Sequence, residues 1–316
     1  MQKIIVTMMA FALTVPTLVQ AQGDGLADLK AAMIAAKIHQ DSIDTSSLVV
    51  VYDYECHTQD ADGQTVTDRM KLCLLVGQHC TRSFPYRKFR KEREWAEGKE
   101  RAATDFLGLK AREYLGGYDF FSEEELPLLR SESYCMMPEV WTNYPDGKTT
   151  VRDAIPPSIY ETQEVRRPID WKLTDNTVTI SGYLCKTATC QLHGRRWTVR
   201  YCEDIPTTAG PWKLCGLPGL VVEAEVDGIH RFTLTDLQHA AAPIYYETSA
   251  ITSKTSEEKL IKNRNKTFGN RQYLKNPHYY ITDLHSADTA YDNEGMLING
   301  VYVNDKAHVY QPLELE

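Results

Sequence analysis

The chain has 316 residues, 42% of them hydrophobic and 25% charged, with a formal net charge of −8. A chain of this length can bury about three quarters of its unfolded surface, enough for a sizeable core. The acidic balance argues against general binding to nucleic acid or to an anionic membrane surface, both of which need a positive face.

Met1–Ala21 has the pattern of a secretory signal peptide: Lys3 at the start, an apolar stretch from Ile4 to Val19, and Val19-Gln20-Ala21 as a small-residue cleavage site. Gln22 follows the predicted cut, so there is no lipobox cysteine. No later run of about 18 apolar residues would span a bilayer. The expectation is a periplasmic or secreted protein, soluble after cleavage. No long linker interrupts residues 22–316, which predicts a single domain carrying a helical insertion near 91–131.

Leu26–Gln40 is Ala-rich with helical spacing and predicts a short amphipathic helix. Ser47–His57, rich in Val and Tyr, predicts a strand, and Asp62-Gly63 a turn into a second strand over Arg69–Gly77. A third strand is expected from His79 to Phe89. Glu92–Gly116 turns helical and highly charged, and Ser122-Glu123-Glu124-Glu125 matches a capping box. The cluster Arg87, Lys88, Arg90, Lys91 and Arg93 interleaves with Glu92, Glu94 and Glu97, which predicts a solvated, ion-paired helix face.

Strand signals then dominate. Cys135–Tyr144 leads through Pro145-Asp146-Gly147 into Thr149–Ile155. Thr177–Lys186 and Arg195–Cys202 predict a hairpin over Leu192-His193-Gly194, and Gly219–Glu225 with Ile229–Asp236 another across Asp227-Gly228. Ile244–Ser253 continues the sheet, followed by a helix near Glu257–Asn265 and an irregular tail. Consecutive hairpins with few crossover helices imply an α+β protein, mainly antiparallel β. The expected form is a curved open sheet or half-barrel with helices on one face.

Trp197–Glu225 is the most informative stretch. Trp197, Val199 and Tyr201 alternate with polar residues, then Pro206 and Ala209-Gly210-Pro211 break the strand. Gly216-Leu217-Pro218-Gly219 sits directly before the apolar run Leu220-Val221-Val222. Pro218 fixes one φ, and the flanking glycines are free to take shapes that a Cβ forbids. None of these four side chains can donate, accept or titrate, so the loop reads as architecture. Gly216-Leu217-Pro218-Gly219-Leu220-Val221 resembles the signature of the GLPGLI family of exported Bacteroidetes proteins, with Val221 in place of the final Ile. The likeness extends through Gly210-Pro211-Trp212-Lys213-Leu214, Gly194-Arg195-Arg196-Trp197 and Gly182-Tyr183-Leu184-Cys185. Thr187 stands where the family usually has Lys, and Arg200 where it usually has Trp. The resemblance implies export, and it brings no assigned catalytic residue, cofactor or metal.

Eight cysteines lie beyond the leader: Cys56, Cys73, Cys80, Cys135, Cys185, Cys190, Cys202 and Cys215. An even count in an exported chain makes all of them candidates for disulfides, with connectivity that sequence does not determine. Cys56-His57 and His79-Cys80 offer thiolate and imidazole ligands, although their spacing matches no closed zinc motif, so no metal is expected. Cys185 with His193, or the carboxylates of Glu203-Asp204, would serve a thiol- or carboxylate-dependent hydrolase. The aromatics Tyr52, Tyr54, Trp141, Trp171, Trp197, Tyr201 and Trp212 fall on or beside predicted strands, as sheet core or as the lining of a concave face. The leading expectation is a non-enzymatic envelope protein that binds an apolar ligand or a protein partner, with no cofactor. A hydrolase and a structural accessory of an outer-membrane complex are the alternatives.

Overall fold

The computed structural model describes residues 39–60, 62–96, 135, 137–155, 158–248, 252–269, 289–291, 296–298, 301–302 and 308–316. The long strand β1 (His39–Gln59) organises the rest. Its alternate residues Leu48, Val50, Tyr52, Tyr54 and Cys56 enter one apolar cluster, and Val49 enters another on the opposite face. Val-rich sequence in the middle of β1 is therefore covered on both sides, as a central strand requires. β1 pairs with β2 (Thr65–Gly77) on one flank, and with β12 (Pro243–Thr248) and then β11 (His230–Gln238) along its length.

The other strands are β3 (Thr81–Pro85), β4 (Glu139–Thr142), β5 (Lys148–Ile155), β6 (Ser158–Val165), β7 (Lys172–Ile180), β8 (Tyr183–Leu192), β9 (Arg195–Cys202), β10 (Leu220–Val226) and β13 (Thr252–Lys254). Together they form one open thirteen-stranded sheet in the order β13-β6-β5-β4-β3-β2-β1-β11-β10-β9-β8-β7, with β12 on β1. All its pairs are antiparallel except β13 with β6, so the sheet is mixed and mainly antiparallel. Three short strands, β14 (Thr289–Tyr291), β15 (Met296–Ile298) and β16 (Val301–Tyr302), make a separate small sheet.

Two described helices cover opposite faces rather than one. Phe89 of α1 (Tyr86–Ala96) packs with Cys73, Leu75 and Phe84, whereas Leu260 and Phe268 of α2 (Glu257–Phe268) join the larger cluster containing Tyr52 and Trp197. The capping of α2 follows its sequence: Ser256 accepts from the Lys259 backbone N–H, and Glu257 and Glu258 fill the first turn.

Several sequence expectations shift. His39 and Gln40 already belong to β1 rather than to a helix, because β12 extends the pairing back to His39. Tyr86–Phe89 is helical, not strand, so the third strand ends at Pro85. Residues 177–186 are two strands: Ser181-Gly182 turns the chain, with φ of 51° and 85°. That left-handed pair is the signature of a two-residue hairpin turn, and it recurs at His193-Gly194 and Asp227-Gly228, where hairpins were expected. β6 had no sequence forecast. The α1 face is not wholly solvated, since Lys88 and Glu92 are buried. They meet the buried Glu139 and Arg82, and Arg82 also binds Glu139 across the β3–β4 pair. The helix and capping-box expectations over 26–38 and 97–134, including most of the insertion near 91–131, lie outside the described residues.

Candidate functional site

The signature loop starts where β9 ends. The Ile205 carbonyl accepts from the Leu220 backbone N–H, the Ala209 carbonyl from Val221 and the Thr208 carbonyl from Gly216, so the two arms of the loop lie side by side. Gly216 needs its freedom, because its φ is 94°. Gly219 is required for a different reason. A Cβ there would collide with the Cys202 backbone carbonyl. Leu217 is buried in the main core, and the Tyr52 hydroxyl donates to the Val221 carbonyl at 2.6 Å. The loop thus fixes the start of β10 against β1 and β9.

The same loop delivers Lys213 into a group of buried ionisable side chains. Trp212, at φ 54°, lies tilted against Trp197 with ring centroids 5.4 Å apart and donates its backbone N–H to the Ser83 hydroxyl at 2.9 Å. That twisted backbone carries Lys213 into the interior. Its ammonium donates to Glu314, to Glu257 at 2.6 Å and to His193 Nε2 at 3.2 Å. Glu314 is fully buried and also accepts from Arg264 at 2.5 Å, and Arg264 reaches Asp153 of β5 at 2.5 Å. Burial pushes the Glu314 carboxyl up, but the Lys213 and Arg264 charges outweigh it and hold it down at about 2. Burial, then the Lys213 charge, lowers His193. A neutral His193 accepts from Lys213 at Nε2 and donates from Nδ1 to the Glu316 carbonyl.

His193, Glu257 and Glu314 have the composition and closeness of a divalent-cation site, with one donor atom from each within 4.8 Å of the others. The Lys213 ammonium stands among the same three atoms, and each contact uses one of its three N–H groups. A metal would have to displace a positive charge from a buried position, so the residues present fit an internal ion pair and not a metal centre.

This cluster ties residues 308–316 to the sheet. The Pro312 carbonyl accepts from Arg195 and from His230 Nε2, whose Nδ1 accepts from the Tyr54 hydroxyl at 2.8 Å. Val309 exchanges hydrogen bonds with Gln59 and Thr58, and the Leu315 backbone N–H donates to the His193 carbonyl. Gly194 leaves the room that Leu315 and Glu316 occupy. Sequence reasoning missed Glu257, Arg264 and Glu314. Arg264 carried a signal, since it lies on the buried stripe Leu260, Ile261, Arg264 and Phe268 of α2, where a charge implies a buried partner. Glu314 carried none.

The earlier candidates are not brought together. Cys56 lies opposite Asp68 of β2, whereas Cys80 caps the far end of that strand through its carbonyl bond to Gly77. Nine residues at about 3.3 Å each put roughly 30 Å between the two Cys/His pairs. His57 bonds Thr67, and the His79 and Cys80 backbone N–H groups donate to Asp44. Cys185 and His193 sit at opposite ends of β8, about 26 Å apart along the strand. Burial raises Cys185 to about 11, which leaves it a thiol and not a nucleophile. Glu203 and Asp204 occupy a turn after β9, where Glu203 pairs with exposed Lys186 at 2.7 Å. Cys56, Cys73, Cys80, Cys185, Cys190, Cys202 and Cys215 stand as thiols. Tyr52, Tyr54, Trp141, Trp197, Tyr201 and Trp212 are all core, and only Trp171 is half-buried, donating to the Cys215 carbonyl.

A second region differs in character. β7 ends the sheet and is exposed along nearly its whole length, on both faces. Leu173 is 57%, Val178 37% and Leu184 62% exposed on the β7–β8 hairpin.

No family model matches the chain, and no characterised protein matches it. Among solved structures, PNGF-II in one space group aligns at 13% identity with a TM-score of 0.41, over 71% of this chain and 34% of that one. PNGF-II in a second space group aligns at 13% identity and a TM-score of 0.37, over 69% of this chain and 33% of that one. The chain spans about a third of the length of these neighbours, and a likeness this remote says nothing of its activity. No helix among the described residues is long and apolar enough to cross a membrane.

Proposed function

We propose that this is an exported cell-envelope protein of the GLPGLI type that acts by holding an extended segment of another envelope protein, without covalent chemistry of its own. The observation that carries the reading is the β7 edge. It is a nine-residue strand with β8 as its sheet neighbour, and it ends the sheet. Such an edge presents unpaired backbone donors and acceptors to an incoming strand, and side chains on alternate positions supply selectivity. Exposed Leu173, Val178 and Leu184 give that strand apolar positions to cover, with Lys172 and Asp175 beside them to set register. The aromatics that would have lined a pocket for an apolar ligand are spent in the core, which favours the protein partner.

The test uses full-length protein as bait in envelope extracts, beside a Leu173→Asp/Leu184→Asp variant, with mass spectrometry of bound proteins and lipids. The expected result is one protein recovered by the wild type and lost from a variant that keeps the wild-type melting temperature. Equal recovery by both baits, or enrichment of lipid alone, overturns the reading.

A further inference from the structure

Eight cysteines leave many pairings open on paper, but strand register is far more restrictive. β8 and β9 pair antiparallel from Leu192↔Arg195 to Lys186↔Tyr201. One step further along both strands lie Cys185 and Cys202. The flanking strands agree with that row: Val178 of β7 is opposite Cys185, and Leu220 of β10 is opposite Cys202. Residues facing each other across antiparallel strands share a face, with Cβ atoms about 4.5–5.5 Å apart, close to the span of a disulfide. Both side chains are buried in the same apolar cluster. Cys202 is close enough to contribute, after burial itself, to the raised Cys185 thiol. Other strand cysteines have different partners: Cys56 faces Asp68 and His230, Cys73 faces Val51 and Phe84, and Cys190 faces Trp197.

We infer that Cys185 and Cys202 are a redox pair that closes to a cross-strand disulfide when the chain folds in an oxidising compartment, locking the β7–β8 hairpin onto β9 at the base of the signature loop. The co-reactant is a disulfide, either of an oxidoreductase or of a small thiol. One cysteine, as its thiolate, attacks that disulfide and expels a thiol, giving a mixed disulfide. The second thiolate attacks the bonded sulfur and expels the other thiol. The chain loses two protons and two electrons, and the donor disulfide gains them as two thiols. Closure precedes burial, because the folded core keeps both sulfurs from solvent. The position has structural consequence. The Cys202 carbonyl is the atom that Gly219 must clear, and Cys185 is the β8 neighbour of Val178 on the exposed edge. A staple here fixes the strand that supports that edge, whatever the edge binds.

The experiment is peptide mapping of full-length protein exported to a periplasm and purified without reductant, alkylated in denaturant, then digested with trypsin. The expected result is a linked pair, residues 173–186 joined to 201–213, two hydrogen masses below the sum of the separate peptides. Reduction should replace it with two alkylated peptides. Cys185→Ser and Cys202→Ser should each expose one additional alkylatable thiol relative to the wild type. The wild-type map decides the matter alone and does not depend on how either variant folds. Recovery of both peptides only in alkylated form, or of either linked to a different cysteine, overturns the assignment. Edge binding is scored separately on the β7 variants, so the two conclusions stand or fall apart.

Discussion

The two ends of the β8–β9 hairpin teach opposite lessons about charged and apolar groups. At the His193 end, Lys213, Arg264, Asp153, Glu257 and Glu314 form a network whose core members are almost free of solvent. At the Leu184 end, leucine and valine face water while Lys186 and Glu203 pair on the surface. Charges are inside and apolar side chains outside, the reverse of the usual partition. The first inversion is tolerable because each buried charge meets an opposite one with direct hydrogen bonds, so desolvation is offset. The second has no such compensation within the described chain. A polar network at one end secures residues 308–316 and the signature loop, and the other end leaves apolar side chains exposed among the described residues.

Removing a buried charge should therefore cost most. Lys213→Met strands the Glu314 carboxylate with Arg264 as its remaining strong partner, and breaking such a pair costs about 3–5 kcal/mol. Urea denaturation should show that loss, whereas Lys186→Met at the exposed end should leave the midpoint where it was. Equal effects from the two variants would dissolve the contrast.

Acid provides the next largest effect. Burial, then the Arg195 charge, lowers His230 to about 4, against about 6.5 when unfolded. The unfolded chain takes up this proton first, so the stabilisation is complete above about pH 6.5 and is lost as pH falls towards 4. The difference amounts to about 3 kcal/mol. His230→Gln, which can still accept from Tyr54 and donate to Pro312, should flatten the urea midpoint across that window. Glu314 acts lower. Its folded value of about 2 lies below the ordinary carboxylate range, so its contribution is present above that range and disappears as pH falls to 2. Glu314→Gln should remove the second decline and leave the first.

The signature loop yields a smaller and more discriminating pair. Gly219→Ala brings a methyl against the Cys202 carbonyl and should cost about 1–3 kcal/mol, as overpacking does. Gly216→Ala meets ordinary contact with Trp171 but must hold a left-handed φ, at about 1 kcal/mol. Asn tolerates that region better than Ala, so Gly216→Asn should recover part of the loss in thermal unfolding while Gly219→Asn recovers none. Recovery at both positions would show that Gly219, too, is a matter of backbone freedom.

The sequence made some of this legible and hid the rest for identifiable reasons. Asp227-Gly228 and His193-Gly194 announced their hairpins because left-handed turns need those residue types, and the same signal at Ser181-Gly182 was masked by the β-branched run around it. The buried aromatics followed from strand alternation. The glycine–proline run showed where the chain turns before Leu220 but not what each glycine does there: positive φ belongs to Gly216, and close approach to Gly219. The ionic network was hidden because it joins β5, the His193 turn, the signature loop, α2 and residues 308–316, separated by up to 161 positions between Asp153 and Glu314. No local pattern marks a lone Glu in Leu-Glu-Leu-Glu as the partner of a distant Lys. In α1 the charge-rich composition concealed that Lys88 and Glu92 share the inward face with Phe89, so a pattern that looked like solvation was half burial.

The exposed edge should respond least in stability. Leu173 lies opposite Ala188 and Leu184 opposite Thr179, so neither leucine has a large cross-strand apolar partner. Each retains more than half of its possible exposure, and little hydrophobic stabilisation is therefore at stake. Leu173→Lys and Leu184→Lys, singly or together, should each stay within about 0.5 kcal/mol of the wild type, the usual range for surface substitutions. Differential scanning calorimetry of the full-length protein measures this directly. A fall of several degrees for either variant would mean that the leucine is covered in solution, by the rest of the chain or by a second copy. Repeating the scan across a tenfold range of protein concentration separates those cases, since only covering by a second copy makes melting depend on concentration. Unchanged melting at every concentration leaves the edge open, in the state that an incoming strand requires.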